Sequence, residues 1–132
     1  MAEPRRVLLV DDDVDFLEAV RALLEAHGYQ VLAAHSAQEA LALLRRERVN
    51  VAILDLMMEE PDSGILVAHF LRRQPEMAGI PVILATAVAE KTGFRPSLDD
   101  PEEREWLKVD AWVDKPVPPE ELLATIERLT NG

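Results

Sequence analysis

The chain has 132 residues, a length that suits one domain with a single hydrophobic core. Its 25 acidic and 14 basic residues give a formal net charge of −11, which disfavours nucleic acid and anionic membrane surfaces as partners. The absence of cysteine excludes disulfides, thiolate nucleophiles and cysteine-based metal sites. The sequence contains no apolar run long enough to span a membrane and no signal peptide at its start, so we expect a cytoplasmic location.

Short apolar runs alternate with amphipathic segments along the chain. The pattern predicts strands at residues 6–10, 30–34, 51–54, 82–85 and 111–113. It predicts helices at residues 14–27, 37–44, 63–74 and 118–130, with a further short helix near 101–107. Phe16 begins the apolar face of the first helix, and Asp13 and Ser36 are suited to cap the first two helices. This alternation of strands and helices predicts a parallel sheet with helices on both faces.

Side chains with carboxylate, hydroxyl or ammonium groups follow four of the five predicted strands. They are Asp11, Asp12, Asp55, Thr86 and Lys115. Ligands of such sheets bind beyond the carboxyl ends of the strands, so we expect these side chains to form one site. Clustered carboxylates repel one another unless a cation lies between them, and a set of oxygen ligands favours Mg²⁺ or Ca²⁺. Mg²⁺ is the usual ion of phosphoryl chemistry, in which a carboxylate can act as nucleophile and a lysine can bind phosphoryl oxygens.

Taken together, these motifs resemble the receiver domain of two-component response regulators. The matching stretches are Leu9-Val10-Asp11-Asp12-Asp13, Leu54-Asp55-Leu56-Met57-Met58, Thr86-Ala87 and Lys115-Pro116. The resemblance covers nearly the whole chain and implies a doubly wound, flavodoxin-like α/β fold whose five-stranded parallel sheet has the order 2-1-3-4-5. We therefore expect a single receiver domain over residues 1–132, without an output domain.

The resemblance implies a phosphoacceptor and a metal site. Asp55 would accept the phosphoryl group. Asp11, Asp12, Asp55 and the backbone carbonyl of Met57 would hold Mg²⁺, with Asp12 as the more direct ligand and Asp11 acting through water. Asp13, by contrast, is expected only to cap the first helix.

Other matching residues would bind the phosphoryl group or respond to it. Lys115 would bind the group, Thr86 would move toward it, and Trp112 occupies the position of the aromatic switch residue, with simple core packing as the alternative. Met57 and Val88 lie where side chains of the family flank the path of the hydrolytic water. Because neither side chain can orient a water molecule, we expect slow dephosphorylation.

Two stretches depart from the family pattern. The loop at residues 59–64 is slightly longer than usual, and the interval from Thr86 to Lys115 is longer by about two helical turns. The extra length lies in residues 90–106 and predicts an irregular or extended fourth-helix region. The peptide bond between Lys115 and Pro116 is expected to be cis, as the resemblance implies.

The implied function is a signalling module rather than an enzyme. It would take its phosphoryl group from a sensor histidine kinase or a phosphotransfer protein and act through a downstream protein that the sequence does not identify. Phosphorylation-dependent dimerisation stays open, and neither nucleic acid nor membrane is an expected partner.

Two alternatives remain open from the sequence. The stretch Asp11-Asp12-Asp13-Val14 also fits the first motif of haloacid-dehalogenase phosphohydrolases, in which Asp11 would be the nucleophile and Asp13 the acid/base. The second alternative is a scaffold that has kept the site but works without phosphorylation. Identifying the aspartate that a small phosphodonor acylates would separate a receiver from a phosphohydrolase.

Overall fold

The computed structural model describes residues 5–55, 63–86, 108–115 and 117–131. Its elements, in chain order, are β1 (Arg6–Val10), α1 (Val14–Ala26), β2 (Gln30–Ala34), α2 (Ala37–Leu44), β3 (Val51–Leu54), α3 (Ser63–Arg73), β4 (Val82–Thr86), β5 (Ala111–Asp114) and α4 (Pro119–Asn131). These strands and helices confirm the predicted ones, with bounds that differ by one residue at most. The predicted short helix near residues 101–107, and the whole of residues 90–106, lie outside the described residues.

The five strands form one parallel sheet in the order β2-β1-β3-β4-β5. This confirms the doubly wound, flavodoxin-like α/β fold expected from the sequence. Because all strands run in the same direction, the residues that follow them lie along one edge of the sheet. Among the helices that the structure describes, none has both the length and the apolar composition needed to cross a membrane.

Alternate side chains of each strand pack into two cores, one on each face of the sheet. Leu8 and Val10 of β1 join the core that α2 and α3 cover. Val7 and Leu9 join the core that α1 and α4 cover. Burial on both faces explains why the strands are continuous apolar runs rather than alternating ones.

The predicted helix caps are confirmed. The Asp13 carboxylate accepts a hydrogen bond from the Phe16 backbone N–H over 3.2 Å, and the Ser36 hydroxyl accepts one from the Glu39 N–H over 3.1 Å. Past the end of α1, Gly28 adopts a φ of 89°, a conformation that favours glycine. The Asp13 cap therefore fixes the start of α1 immediately after the acidic residues.

Arg72 connects α3 to the residues that directly precede β4 and β5. Its guanidinium donates hydrogen bonds to the carbonyl oxygens of Ala78 and Ile80, over 3.1 and 2.7 Å, and to the Asp110 carboxylate over 2.8 Å. The same carboxylate accepts a hydrogen bond from the Val82 N–H over 2.8 Å. These bonds hold the two strands together at the ends farthest from the predicted site.

Candidate functional site

Asp11 and Asp55 lie side by side because the neighbouring strands β1 and β3 end together. Val10 pairs with Leu54 in the ladder, and the Asp55 N–H donates to the Val10 carbonyl over 3.0 Å. On the other side of β1, the Asp11 N–H donates to the Ala34 carbonyl over 3.1 Å. Backbone hydrogen bonds that continue past the strands therefore fix the position of both aspartates.

Lys115, which directly follows β5, extends its ammonium group to both aspartates. Its Nζ lies 2.5 Å from Asp11 Oδ2 and 3.5 Å from Asp55 Oδ2. The side chains of Asp11 and Lys115 are 1% and 15% exposed, so their contact is largely shielded from water. The ammonium also lies 4.3 Å from the centroid of the Phe16 ring.

Asp11, Asp12 and Asp55 form a cluster whose carboxylate oxygens lie within 4.8 Å of one another. Asp11 and Asp55 are buried, and Asp12 is exposed. When all three are ionised, the Lys115 ammonium offsets one charge and leaves a formal excess of two negative charges. An oxygen-only donor set with this excess suits a hard divalent cation, so these residues fit the predicted Mg²⁺.

The pKa of the Asp11 carboxyl depends on its burial and on the charged and polar groups beside it. Burial raises the pKa of the Asp11 carboxyl above its ordinary value, and the negative charge of Asp55 raises it further. Hydrogen bonds from Lys115 and from the Asp13 backbone N–H, the latter over 2.9 Å, lower this pKa without cancelling the rise. A bound divalent cation would favour the ionised carboxylate in the same way as Lys115 does. The lysine and a bound metal ion would therefore compete for one carboxylate.

This competition gives a prediction for metal affinity. Replacing Lys115 by methionine removes an ammonium group that contacts the cluster, so we expect Mg²⁺ to bind about tenfold more tightly. Calorimetric titration at constant ionic strength measures the effect. The control is Lys108→Met, which removes the same charge three residues before β5, at the edge of the sheet opposite the cluster, and should leave the affinity unchanged. Unchanged or weaker binding by the Lys115 variant would contradict the competition.

Thr86 is the last residue of β4, and its backbone pairs with that of Asp114, the residue before Lys115. The backbone of Thr86 therefore lies at the predicted edge, beside the strand that carries the lysine. Several predicted features lie outside the described part of the chain: the Thr86 side chain, Met57, Val88 and the peptide bond between Lys115 and Pro116. The roles of these residues stay predictions.

Trp112 lies in β5 and is half-buried against the core on the α2 and α3 side of the sheet. Its indole N–H donates a hydrogen bond to Asp114 Oδ1 over 3.0 Å. The side chain thus has both core contacts and a polar contact near the end of β5. Trp112 therefore packs on the core, and its role as a switch residue stays a prediction.

In the sequence, Phe16 belongs to the apolar face of the first helix, and no motif associates it with the site. The structure places its ring next to the Lys115 ammonium. One signal was available: Phe16 is in the first turn of α1, four residues after Asp12. A side chain in that turn lies close to the carboxyl edge of the sheet.

Comparison with known proteins supports the assignment from sequence and fold. Residues 7–127 match the family model of the response regulator receiver domain. The chain is 32% identical to the protein PilH of Pseudomonas aeruginosa, over 96% of this chain and 98% of that protein. It is 31% identical to the polar-differentiation response regulator DivK of Brucella anthropi, over 94% of each.

Some relatives are much longer. The chain is 42% identical over 85 residues to the transcriptional regulatory protein GlrR of Escherichia coli, a match that spans 18% of that protein. The match of this chain to the transcriptional regulatory protein GltR of Pseudomonas aeruginosa spans half the length of that protein. None of these relatives is named as a phosphohydrolase, and nothing in the comparisons supports that alternative.

Solved structures show the same fold. The chemotaxis response regulator CheY4 of Vibrio cholerae is 28% identical with a TM-score of 0.80, covering 96% of this chain and 98% of that one. A CheY-like receiver domain protein from Methanospirillum hungatei is 28% identical with a TM-score of 0.79, covering 97% and 94%. The match over almost the whole chain and the shared strand order show that it belongs to the response regulator receiver domains, the phosphoacceptor modules of two-component signalling.

Proposed function

We propose that Asp55 accepts a phosphoryl group from a phosphohistidine of a sensor histidine kinase or a phosphotransfer protein. The observation that carries the proposal is the position of Asp55, which is grouped with two other carboxylates and lies 3.5 Å from the Lys115 ammonium. Asp11, Asp12, Asp55 and the Met57 carbonyl are proposed to hold Mg²⁺. Receiver domains interact with such kinases and phosphotransfer proteins, which supports this class of donor.

The transfer is a nucleophilic displacement at phosphorus. A carboxylate oxygen of Asp55 forms a bond to phosphorus while the bond from phosphorus to the donor nitrogen breaks, and the imidazole leaves with that electron pair. The Lys115 ammonium, already beside Asp55, donates hydrogen bonds to the phosphoryl oxygens and offsets their charge. Mg²⁺, when bound, supplies further positive charge to the same oxygens.

We propose that the phosphoryl group then changes the conformation of the domain through Thr86 and Trp112. Signalling output follows from contact with a downstream protein, since the net charge of −11 disfavours nucleic acid. The chain works as a single receiver domain that catalyses only its own phosphorylation and dephosphorylation. Sedimentation of the phosphorylated and unphosphorylated protein would show whether it dimerises.

Acetyl phosphate tests the proposed phosphoacceptor without a kinase. We expect the protein to take up one phosphoryl group per chain in Mg²⁺ and none when the metal is chelated, because the charge of the carboxylate cluster opposes an anionic donor. Intact-mass spectrometry measures the uptake. Equal uptake with and without the metal would contradict the proposed metal site, and no uptake in Mg²⁺ would contradict the phosphoacceptor.

The lifetime of the phosphorylated state is predicted to depend on Met57 and Val88. Neither side chain can hold a water molecule in line with the bond between phosphorus and Asp55, so hydrolysis should be slow. A Met57→Asn, Val88→Glu double variant should lose its phosphoryl group about 10- to 100-fold faster. The decay is followed after removal of the donor. Equal decay rates would show that these two positions do not set the lifetime.

A further inference from the structure

Three described groups contact the Lys115 ammonium: the carboxylates of Asp11 and Asp55 and the ring of Phe16. The ring centroid lies 4.3 Å from Nζ, within the distance at which the negative face of an aromatic ring attracts a cation. The lysine side chain is only 15% exposed, so water screens this attraction weakly. Phe16 therefore contributes to the electrostatic environment of the phosphoryl site.

Two hydrogen bonds link the Phe16 backbone to the acidic residues. The Asp13 N–H donates to Asp11 Oδ1 over 2.9 Å, and the Phe16 N–H donates to Asp13 Oδ1 over 3.2 Å. The first turn of α1 therefore keeps a fixed position relative to Asp11. A long, flexible lysine extending from β5 meets a ring whose backbone is anchored at the site.

Phe16 differs from the two carboxylates in one respect that matters for phosphorylation. On the proposed function, Asp55 becomes an acyl phosphate and Asp11 would help to hold Mg²⁺, so the charge that each anionic partner offers to Lys115 would change during the reaction. The ring carries no charge to lose, and it does not compete with the carboxylates for a divalent cation. It can hold the ammonium before and after phosphoryl transfer.

We propose that Phe16 is a positioning residue that keeps the Lys115 ammonium at the phosphoryl site through the face of its ring. The inference rests on the proposed function, because it concerns the lysine that binds the phosphoryl group. An aliphatic side chain at this position would fill the same apolar space against the core of α1 and α4 but would not attract the ammonium.

Fluorinated phenylalanines test this role because fluorine weakens the negative ring face while changing the size of the ring little. The experiment introduces mono-, di- and trifluorophenylalanine at position 16 and measures phosphorylation over a range of acetyl phosphate concentrations in saturating Mg²⁺. The maximum rate should fall stepwise with each fluorine, to about a tenth of its value for the trifluorinated ring. Phe16→Leu should show a similar loss.

Phe70 provides the matched control. It is a half-buried phenylalanine of α3 that packs on the other core, so the same fluorinated residues there should not change the rate. A rate that stays constant across the position 16 series would overturn the inference and leave Phe16 a packing residue. That result is distinct from failure of the proposed function, in which the unsubstituted protein would not become phosphorylated at Asp55. The fluorinated series does not depend on the Leu variant. It therefore tests whether the ring of Phe16 positions the Lys115 ammonium even if Phe16→Leu unfolds.

Discussion

The Asp55→Asn variant is expected to take up no phosphoryl group from acetyl phosphate in Mg²⁺. An amide nitrogen or oxygen is too weak a nucleophile to replace the carboxylate, and the loss of one negative charge also weakens the metal site. The fold should persist, because Asp55 follows β3 and its backbone bond to Val10 remains. Intact-mass spectrometry measures uptake, and thermal unfolding in chelator should give a stability no lower than that of the unsubstituted protein.

Asp13→Asn is the matched control for that substitution. Asn caps helices as well as Asp does, so the Asp13 bond to Phe16 should be kept. Asp13 is exposed and lies outside the carboxylate cluster, so uptake should be unchanged. In the phosphohydrolase alternative Asp13 would be the acid/base, and its replacement would impair the reaction. Phosphoryl uptake by Asp55→Asn would contradict the receiver mechanism. So would a loss of uptake in Asp13→Asn.

Asp12→Ala is expected to weaken Mg²⁺ binding on the order of 10- to 100-fold. The substitution removes a proposed oxygen ligand and one of the three clustered charges, and Asp12 is the exposed member of the cluster. Calorimetric titration with Mg²⁺ measures the change. Asp15→Ala serves as control, because it removes an exposed charge of α1 that does not belong to the cluster. Equal affinities for the two variants would show that Asp12 is not a ligand.

Much of the fold could be predicted because its signals are local. Each strand is a continuous apolar run, and the first and third runs end at Asp11 and Asp55, which mark the carboxyl edge of the sheet. The caps at Asp13 and Ser36 depend on residues three positions apart, so the sequence indicates them directly. The strand order came from the family resemblance, because apolar periodicity does not specify which strands are neighbours.

The contacts that could not be predicted join residues far apart in the chain. Arg72 and Asp110 are 38 positions apart, and their pairing depends on how the end of α3 meets the start of β5. Lys115 was assigned to the phosphoryl group, yet its ammonium lies 2.5 Å from Asp11 and 3.5 Å from Asp55. Such distances depend on the conformation of a flexible side chain and on the charges around it, which a motif does not encode.

Asp55 is the residue that we expect to become phosphorylated. The most direct measurement treats the unsubstituted protein with acetyl phosphate and Mg²⁺, reduces the acyl phosphate with borohydride, and locates the reduced residue by peptide mass spectrometry. The receiver mechanism predicts that the modified residue is Asp55, beside Asp11 and the Lys115 ammonium. Modification of Asp11 instead of Asp55 would contradict the receiver mechanism and favour the phosphohydrolase alternative.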